Sequence, residues 1–142
     1  MYQLNLYTIN QIKESENIYI KNNSLNKLFD NATTKIITFI KKNYKKKKIL
    51  FVCGPGNNGM DGKLTYNKIS DEFDVSIFTF DSNNKINLNK FKNLINNTEI
   101  IFDCIFGIGL NKKISGNNKK IIELINKSNK KIVAVDIPSG LH

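Results

Sequence analysis

Three short stretches of this chain combine glycine with Asn, Asp or Ser in patterns able to engage a charged ligand. They are Cys53-Gly54-Pro55-Gly56-Asn57-Asn58-Gly59-Met60-Asp61-Gly62, then Asp103-Cys104-Ile105-Phe106-Gly107-Ile108-Gly109-Leu110, then Val135-Asp136-Ile137-Pro138-Ser139-Gly140-Leu141. In the first, Gly54, Gly56 and Gly59 satisfy G-x-G-x-x-G, a spacing that permits a tight turn and brings backbone N–H groups close to a phosphate at a helix N-terminus. Alone the pattern is weak; it gains force between an apolar run and a helix, with Asp81 placed where a ribose-binding acid would stand. Asp103 and Asp136 serve equally as ligand contacts or as caps of turns after strands, and Asn57-Asn58 suit either a ligand or a turn with left-handed backbone. Cys53 and Cys104 are the only cysteines and form no C-x-x-C pair, which argues against a thiolate metal site. Their plain reading is that of small buried hydrophobes, with a disulfide or a reactive thiol as the alternative. His142, the single histidine, reads as a solvated chain end.

The elements that must position these residues follow from hydrophobic periodicity. Ile49-Leu50-Phe51-Val52 is an unbroken apolar run, the mark of a strand buried on both faces. It opens a series: a first strand over Lys48 to Cys53, a helix from Gly59 to Glu72, a strand from Val75 to Phe80, and a polar loop from Asp81 to Asn87. A short amphipathic helix through Leu88, Phe91, Leu94 and Ile95, a strand from Ile100 to Cys104, a helix marked by Ile121, Ile122 and Ile125, and a strand from Ile132 to Val135 complete it. Upstream, Thr8-Ile9-Asn10-Gln11 has the Thr-x-x-Gln form of a capping box. Ser24 then caps a second helix whose Leu25, Leu28, Phe29, Ala32, Ile36, Phe39 and Ile40 form one apolar stripe. Alternating strands and helices imply an α/β protein, a Rossmann-like three-layer α/β/α sandwich with a mostly parallel sheet. All three polar stretches follow the carboxyl ends of strands, the edge at which such sheets bind ligands. For the three to meet, the strands numbered one, three and four should be neighbours, which suggests the order 2-1-3-4.

Length and charge bound the remaining possibilities. The 142 residues suit one domain with a core of its own. No apolar segment approaches the ~20 residues of a membrane helix, and Met1 to Asn10 lack the pattern of a signal peptide, so a cytoplasmic location away from membranes is expected. Lys and Arg outnumber acids 22 to 12. The densest basic run, Lys45-Lys46-Lys47-Lys48, falls where a helix should end, favourable to the helix dipole. No aromatic residues interleave with it as in nucleic-acid platforms, so nucleic acid is not the expected partner.

The order and wording of the three stretches closely resemble the NAD(P)H-hydrate epimerases, the YjeF N-terminal domain family, which reads G-P-G-N-N-G-G-D-G, D-x-x-x-G-T-G-L and D-I-P-S-G. Leu28-Phe29-Asp30-Asn31-Ala32 is similar to the family's L-M-E-N-A segment, so the resemblance covers nearly the whole chain. It implies an isomerase that converts the R epimer of hydrated NADH or NADPH to the S epimer. Its implied functional partner is an NAD(P)H-hydrate dehydratase, on a separate chain or on a longer version of this one, and its implied assembly is a homodimer. Carried over by motif, Asn57, Asn58, Gly59, Met60 and Asp61 contact the nucleotide, as do Gly107, Ile108, Gly109, Leu110, Asn111, Lys112, Lys113 and Asp136. Asn58, Asp103 and Ser139 match the positions that hold a potassium ion, a hard cation suited to oxygen donors. Inversion at a carbon beside the ring nitrogen develops positive charge, and Asp136 is the expected catalytic group, both as electrostatic stabiliser and as general acid and base.

Met60 stands where the family has glycine and Ile108 where it has threonine. If position 60 needs a positive φ, methionine there costs roughly 1–2 kcal/mol. Family domains also continue past D-I-P-S-G, so residues 1–142 read as a domain shortened at its C-terminal end, with an exposed edge on the fourth strand. Two other functions compete. An NAD(P)-binding oxidoreductase fragment rests on G-x-G-x-x-G and Asp81, and a non-catalytic binding or scaffold module of the same family rests on the basic charge and Met60.

Overall fold

The computed structural model describes residues 6–81 and 86–140. The readings above for Met1 to Asn5, loop positions 82–85, Leu141 and His142 lie outside the described residues. The elements run α1 (Ile9–Asn22), α2 (Leu25–Asn43), β1 (Ile49–Cys53), α3 (Asn57–Ile69), β2 (Val75–Thr79), α4 (Leu88–Asn96), β3 (Ile100–Cys104), α5 (Gly116–Asn126) and β4 (Lys131–Ala134). The Thr8 capping box forms in both directions: the Gln11 N–H donates to Thr8 Oγ1 at 3.2 Å, and the Thr8 N–H donates to Gln11 Oε1 at 2.8 Å. Ser24 Oγ likewise accepts from the Lys27 N–H and starts α2.

The four strands pair in parallel in the order β2-β1-β3-β4, the expected arrangement. Every residue of β1 and β3 is buried, as a central parallel strand requires, and their alternation divides the core in two. Ile49, Phe51 and Cys53 join Ile100, Phe102 and Cys104 beneath Ile40 and Tyr44 of the α2 end and Ile69 of α3. Leu50, Val52 and Ile101 face Phe91 and Ile95 of α4 and Ile121 and Ile125 of α5. Right-handed crossovers put one helix pair on each side, which gives the three layers. Because β1 and β3 are central and in register, Cys53 beside Cys104, the loops leaving them emerge side by side.

Some boundaries differ from the sequence reading. α3 starts at Asn57, two residues early, because Gly56 takes the N-cap position with extended angles. β4 ends at Ala134, and Asp136, at φ 73°, turns the chain away. The lysine run forms an exposed turn between α2 and β1; Lys47 Nζ meets Glu99 Oε1 at 2.7 Å, and the Lys48 N–H donates to Glu99 Oε2. Ile132 on the edge strand β4 is 39% exposed. α1 buries none of its residues and is tied to α2 by Asn31 Nδ2 donating to the Tyr19 hydroxyl at 2.8 Å. Among the described residues, no helix is long and apolar enough to cross a membrane.

Candidate functional site

The loops after β1, β3 and β4 are stitched together by side chains from all three stretches. Asn58, in the first turn of α3, donates through Nδ2 to the carbonyls of Phe106 at 2.8 Å and Val135 at 3.0 Å. Asp103 Oδ1 accepts from the Ser139 hydroxyl at 2.7 Å and from the Ile105 N–H at 3.1 Å, while its Oδ2 accepts from the Ser139 N–H at 2.9 Å. The Ser139 oxygen in turn accepts from the Phe106 N–H at 3.0 Å. One loop therefore contributes Phe106 to both ends of the network. Asn58 is 8% exposed and Asp103 6%, yet Asn58 Oδ1 is buried without a hydrogen-bond partner. A buried amide oxygen left open is costly, and it marks a place for a cation or a donor. Among the described residues no three His, Cys, Asp or Glu cluster as metal ligands; the side-chain oxygens of the network belong to an amide, a carboxylate and a hydroxyl.

Above the network lies a cleft of about 500 Å³. Asn57, Asn58 and Asp61 of α3 form one wall, residues 105–112 the next, and Asp136 the third. Gly56 caps α3 with no side-chain hydrogen bond, which leaves the cap of this positive helix end to backbone and ligand. Asp136 Oδ2 accepts from the Ile108 N–H at 2.8 Å. A Cβ on Gly107 would overlap that same Asp136 oxygen, so glycine is what lets the carboxylate lie against the loop. Asp61 differs: its Oδ1 is buried with no hydrogen-bond partner. Burial first, then the Asp136 and Glu16 carboxylates, push its pKa from 3.8 up to about 6.

Beneath the cleft, α3 rests on the sheet at Gly62, where a Cβ would come within 2.7 Å of Cys53 Sγ and 2.8 Å of Cys104 Sγ. Both thiols are free and buried. Contact with Cys53, together with burial, holds the Cys104 thiol well above its ordinary pKa. They behave as packing groups, in line with the plain reading.

The structure brings together Asn57, Asn58, Asp61, Gly107, Ile108, Gly109, Leu110, Asn111, Lys112 and Asp136 around the cleft, with Asp103 and Ser139 below it. Gly59, Met60 and Lys113 stand apart. Gly59 packs against the Gly54 carbonyl. Met60 is 42% exposed on α3 and lines no part of the cleft; its φ is not positive, so the strain considered above does not arise. Lys113 faces a different depression, with Ile122, Glu123 and Gly140. Asp81 borders a separate cavity of about 550 Å³ beyond Pro55, with Lys63, Phe80 and Lys90. Sequence reasoning missed Ile12, Lys13 and Glu16 of α1, which close the cleft from outside. Their signal was faint, because a helix with no buried residue shows no strong stripe.

Comparison with known proteins gives a consistent picture. The family described as YjeF-related protein N-terminus matches residues 25–89 and 80–142. The "Bifunctional NAD(P)H-hydrate repair enzyme Nnr" of Dictyoglomus turgidum is 35% identical over 138 residues, covering 81% of this chain and 27% of its own length. The "NAD(P)H-hydrate epimerase" of Oenococcus oeni is 30% identical over 71% of this chain and 56% of its own. That of Leuconostoc citreum is 28% identical over 99% of this chain and 67% of its own. The chain thus spans roughly a quarter to two thirds of these relatives. The crystal structure of yeast ynu0 has the same fold, with a TM-score of 0.83 at 19% identity, covering 96% of this chain and 72% of the yeast one.

Proposed function

The chain belongs to the YjeF-related N-terminal family, and from that premise we propose that it is an NAD(P)H-hydrate epimerase, an isomerase that interconverts the R and S epimers of hydrated NADH and NADPH. The observation that carries the proposal is the network joining Asn58, Asp103 and Ser139 beneath a cleft lined by two carboxylates. A cleft of about 500 Å³ lies within the usual range for small-molecule sites. The start of α3 receives the anionic part of the nucleotide, because its N–H groups and dipole favour negative charge there. Loss of the hydroxyl beside the ring nitrogen makes the nicotinamide ring cationic. Asp136, fixed by the Ile108 N–H, supplies the opposing charge from a preorganised position.

The chemistry of this oxygen-donor set supports a potassium ion as the group it holds. Asn58 Oδ1 is the open donor, Asp103 provides the negative charge, and the Ser139 hydroxyl completes a hard-oxygen group. When bound, the ion supplies fixed positive charge beside the anionic nucleotide. The reading further entails a dehydratase that consumes the S epimer, and a homodimer as the working assembly.

The test is an epimerisation assay on purified R hydrate, following the epimer ratio by chromatography in potassium and in sodium buffers. Acceleration that depends on potassium, and loses that dependence in Asn58→Ala, is the expected result. An epimer ratio that relaxes no faster than in buffer alone overturns the assignment. Reduction of free NAD by an alcohol would point to the oxidoreductase instead.

A further inference from the structure

The cleft contains two carboxylates in unlike settings, and their difference assigns them unlike jobs. Asp136 Oδ2 accepts a backbone N–H at 2.8 Å, which fixes the carboxylate against the loop after β3. Asp61 Oδ1 is shut away from water with no donor at all, a setting that favours the protonated form. Every charged group near Asp61 can be named. Glu16 and Lys13 face the cleft from α1, Asp136 from the loop after β4, and Lys112 from the loop after β3, with the Cys104 thiol below on β3. Glu16 and Asp136 oppose a second negative charge, and burial opposes it more.

We infer that Asp61 is the catalytic acid that protonates the leaving hydroxyl, while the Asp136 carboxylate, held by the Ile108 N–H, stabilises the cationic ring and accepts the proton of the incoming water. This rests on the epimerase reading and divides between two residues the work that the sequence assigned to Asp136 alone. For one epimer, the Asp61 carboxyl gives its proton to the ring hydroxyl. The C–O bond breaks, its electron pair leaves with oxygen as water, and the ring-nitrogen lone pair closes a C=N bond. Water then adds to the other face of the same carbon. The C=N pair returns to nitrogen, and Asp136 takes the proton from the added water. One water is lost and one gained; Asp61 ends ionised and Asp136 protonated, and the proton returns through solvent in the cleft. The opposite direction runs the same steps backwards.

The experiment measures kcat and KM against pH for the protein, Asp61→Asn and Asp61→Glu, using R hydrate in potassium buffer with the uncatalysed rate subtracted. The expected wild-type kcat/KM declines above about pH 6 as the acid of the free protein loses its proton. Asp61→Asn should lose about 10²–10³-fold in kcat and all of that alkaline limb, with KM changed less than about threefold. Asp61→Glu should regain part of the rate together with a shifted limb. A wild-type kcat or an intact alkaline limb in Asp61→Asn overturns the assignment of Asp61 and leaves the epimerase reading standing. No acceleration by the wild type overturns the epimerase reading itself. Should Asp61→Asn fail to fold by circular dichroism, Asp61→Glu decides, since an alkaline limb unmoved from wild type removes Asp61 from the proton transfer.

Discussion

Replacing Asp103 by asparagine keeps the number of heavy atoms and changes little volume, yet the hydrogen bonds predict a sizeable loss of stability. All three contacts that converge on the carboxylate are donors: the Ser139 hydroxyl and Ile105 N–H at one oxygen, the Ser139 N–H at the other. An asparagine must put its NH2 at one of those positions. Placed at the first it faces the Ile105 N–H, and placed at the second it faces the Ser139 N–H; only the hydroxyl can turn to accept. One backbone donor, of Ile105 or Ser139, is therefore left unsatisfied beside a side chain whose residue is only 6% exposed, which costs about 1–3 kcal/mol. The surviving bonds also lose their charge assistance, about 1 kcal/mol more. The sum is roughly 3 kcal/mol, or a fall in Tm of roughly 10 °C for a domain of this size. Urea unfolding followed by circular dichroism measures it, with the exposed Asp71→Asn as a control expected within about 0.5 kcal/mol of wild type. If Asp103→Asn also lies within about 0.5 kcal/mol, the carboxylate is not the clasp between the loops after β3 and β4.

Gly107→Ala should displace the Asp136 carboxylate, because its Cβ would occupy the space of Oδ2; epimerase kcat/KM is expected to fall at least about tenfold, and wild-type activity would show that Asp136 need not lie there. Asp61→Asn should stabilise the fold. Because the folded pKa of about 6 lies above the ordinary 3.8, ionising Asp61 costs nothing below pH 3.8, costs progressively more up to pH 6, and costs its full amount above. The variant is thus expected to melt higher than wild type at pH 8, with the gap closing as pH falls from 6 to 4; a gap independent of pH would refute the burial argument. Gly62→Ala should cost about 1–3 kcal/mol by driving a methyl group into Cys53 and Cys104. Combining it with Cys104→Ala should cost less than the two changes added, a coupling readable in urea midpoints.

The sheet was legible because its two central strands are dominated by apolar residues, and because the requirement that three polar loops meet makes the strands that carry them neighbours. The helix starts at Thr8 and Ser24 were legible because capping chemistry is local. The start of α3 was not, since the choice between turn and helix at Asn57 depends on Gly56 acting as cap. Asp103 and Ser139 could be named from motif, but their direct bond is a product of register between β3 and β4. The role of α1 was hidden for a different reason. Its cleft-lining Ile12, Lys13 and Glu16 act through docking rather than burial, and hydrophobic pattern reports burial. Met60 shows the converse: its motif position suggested ligand contact, while helical geometry turns that position outward.

Asp136 holds a left-handed backbone angle that glycine would adopt without penalty, at a cost of about 1 kcal/mol. Glycine there would release that strain but leave the Ile108 N–H without its acceptor, a loss of about 0.5–1.5 kcal/mol. The turn keeps its awkward angle because the same carboxylate ties the chain after β4 to the loop after β3.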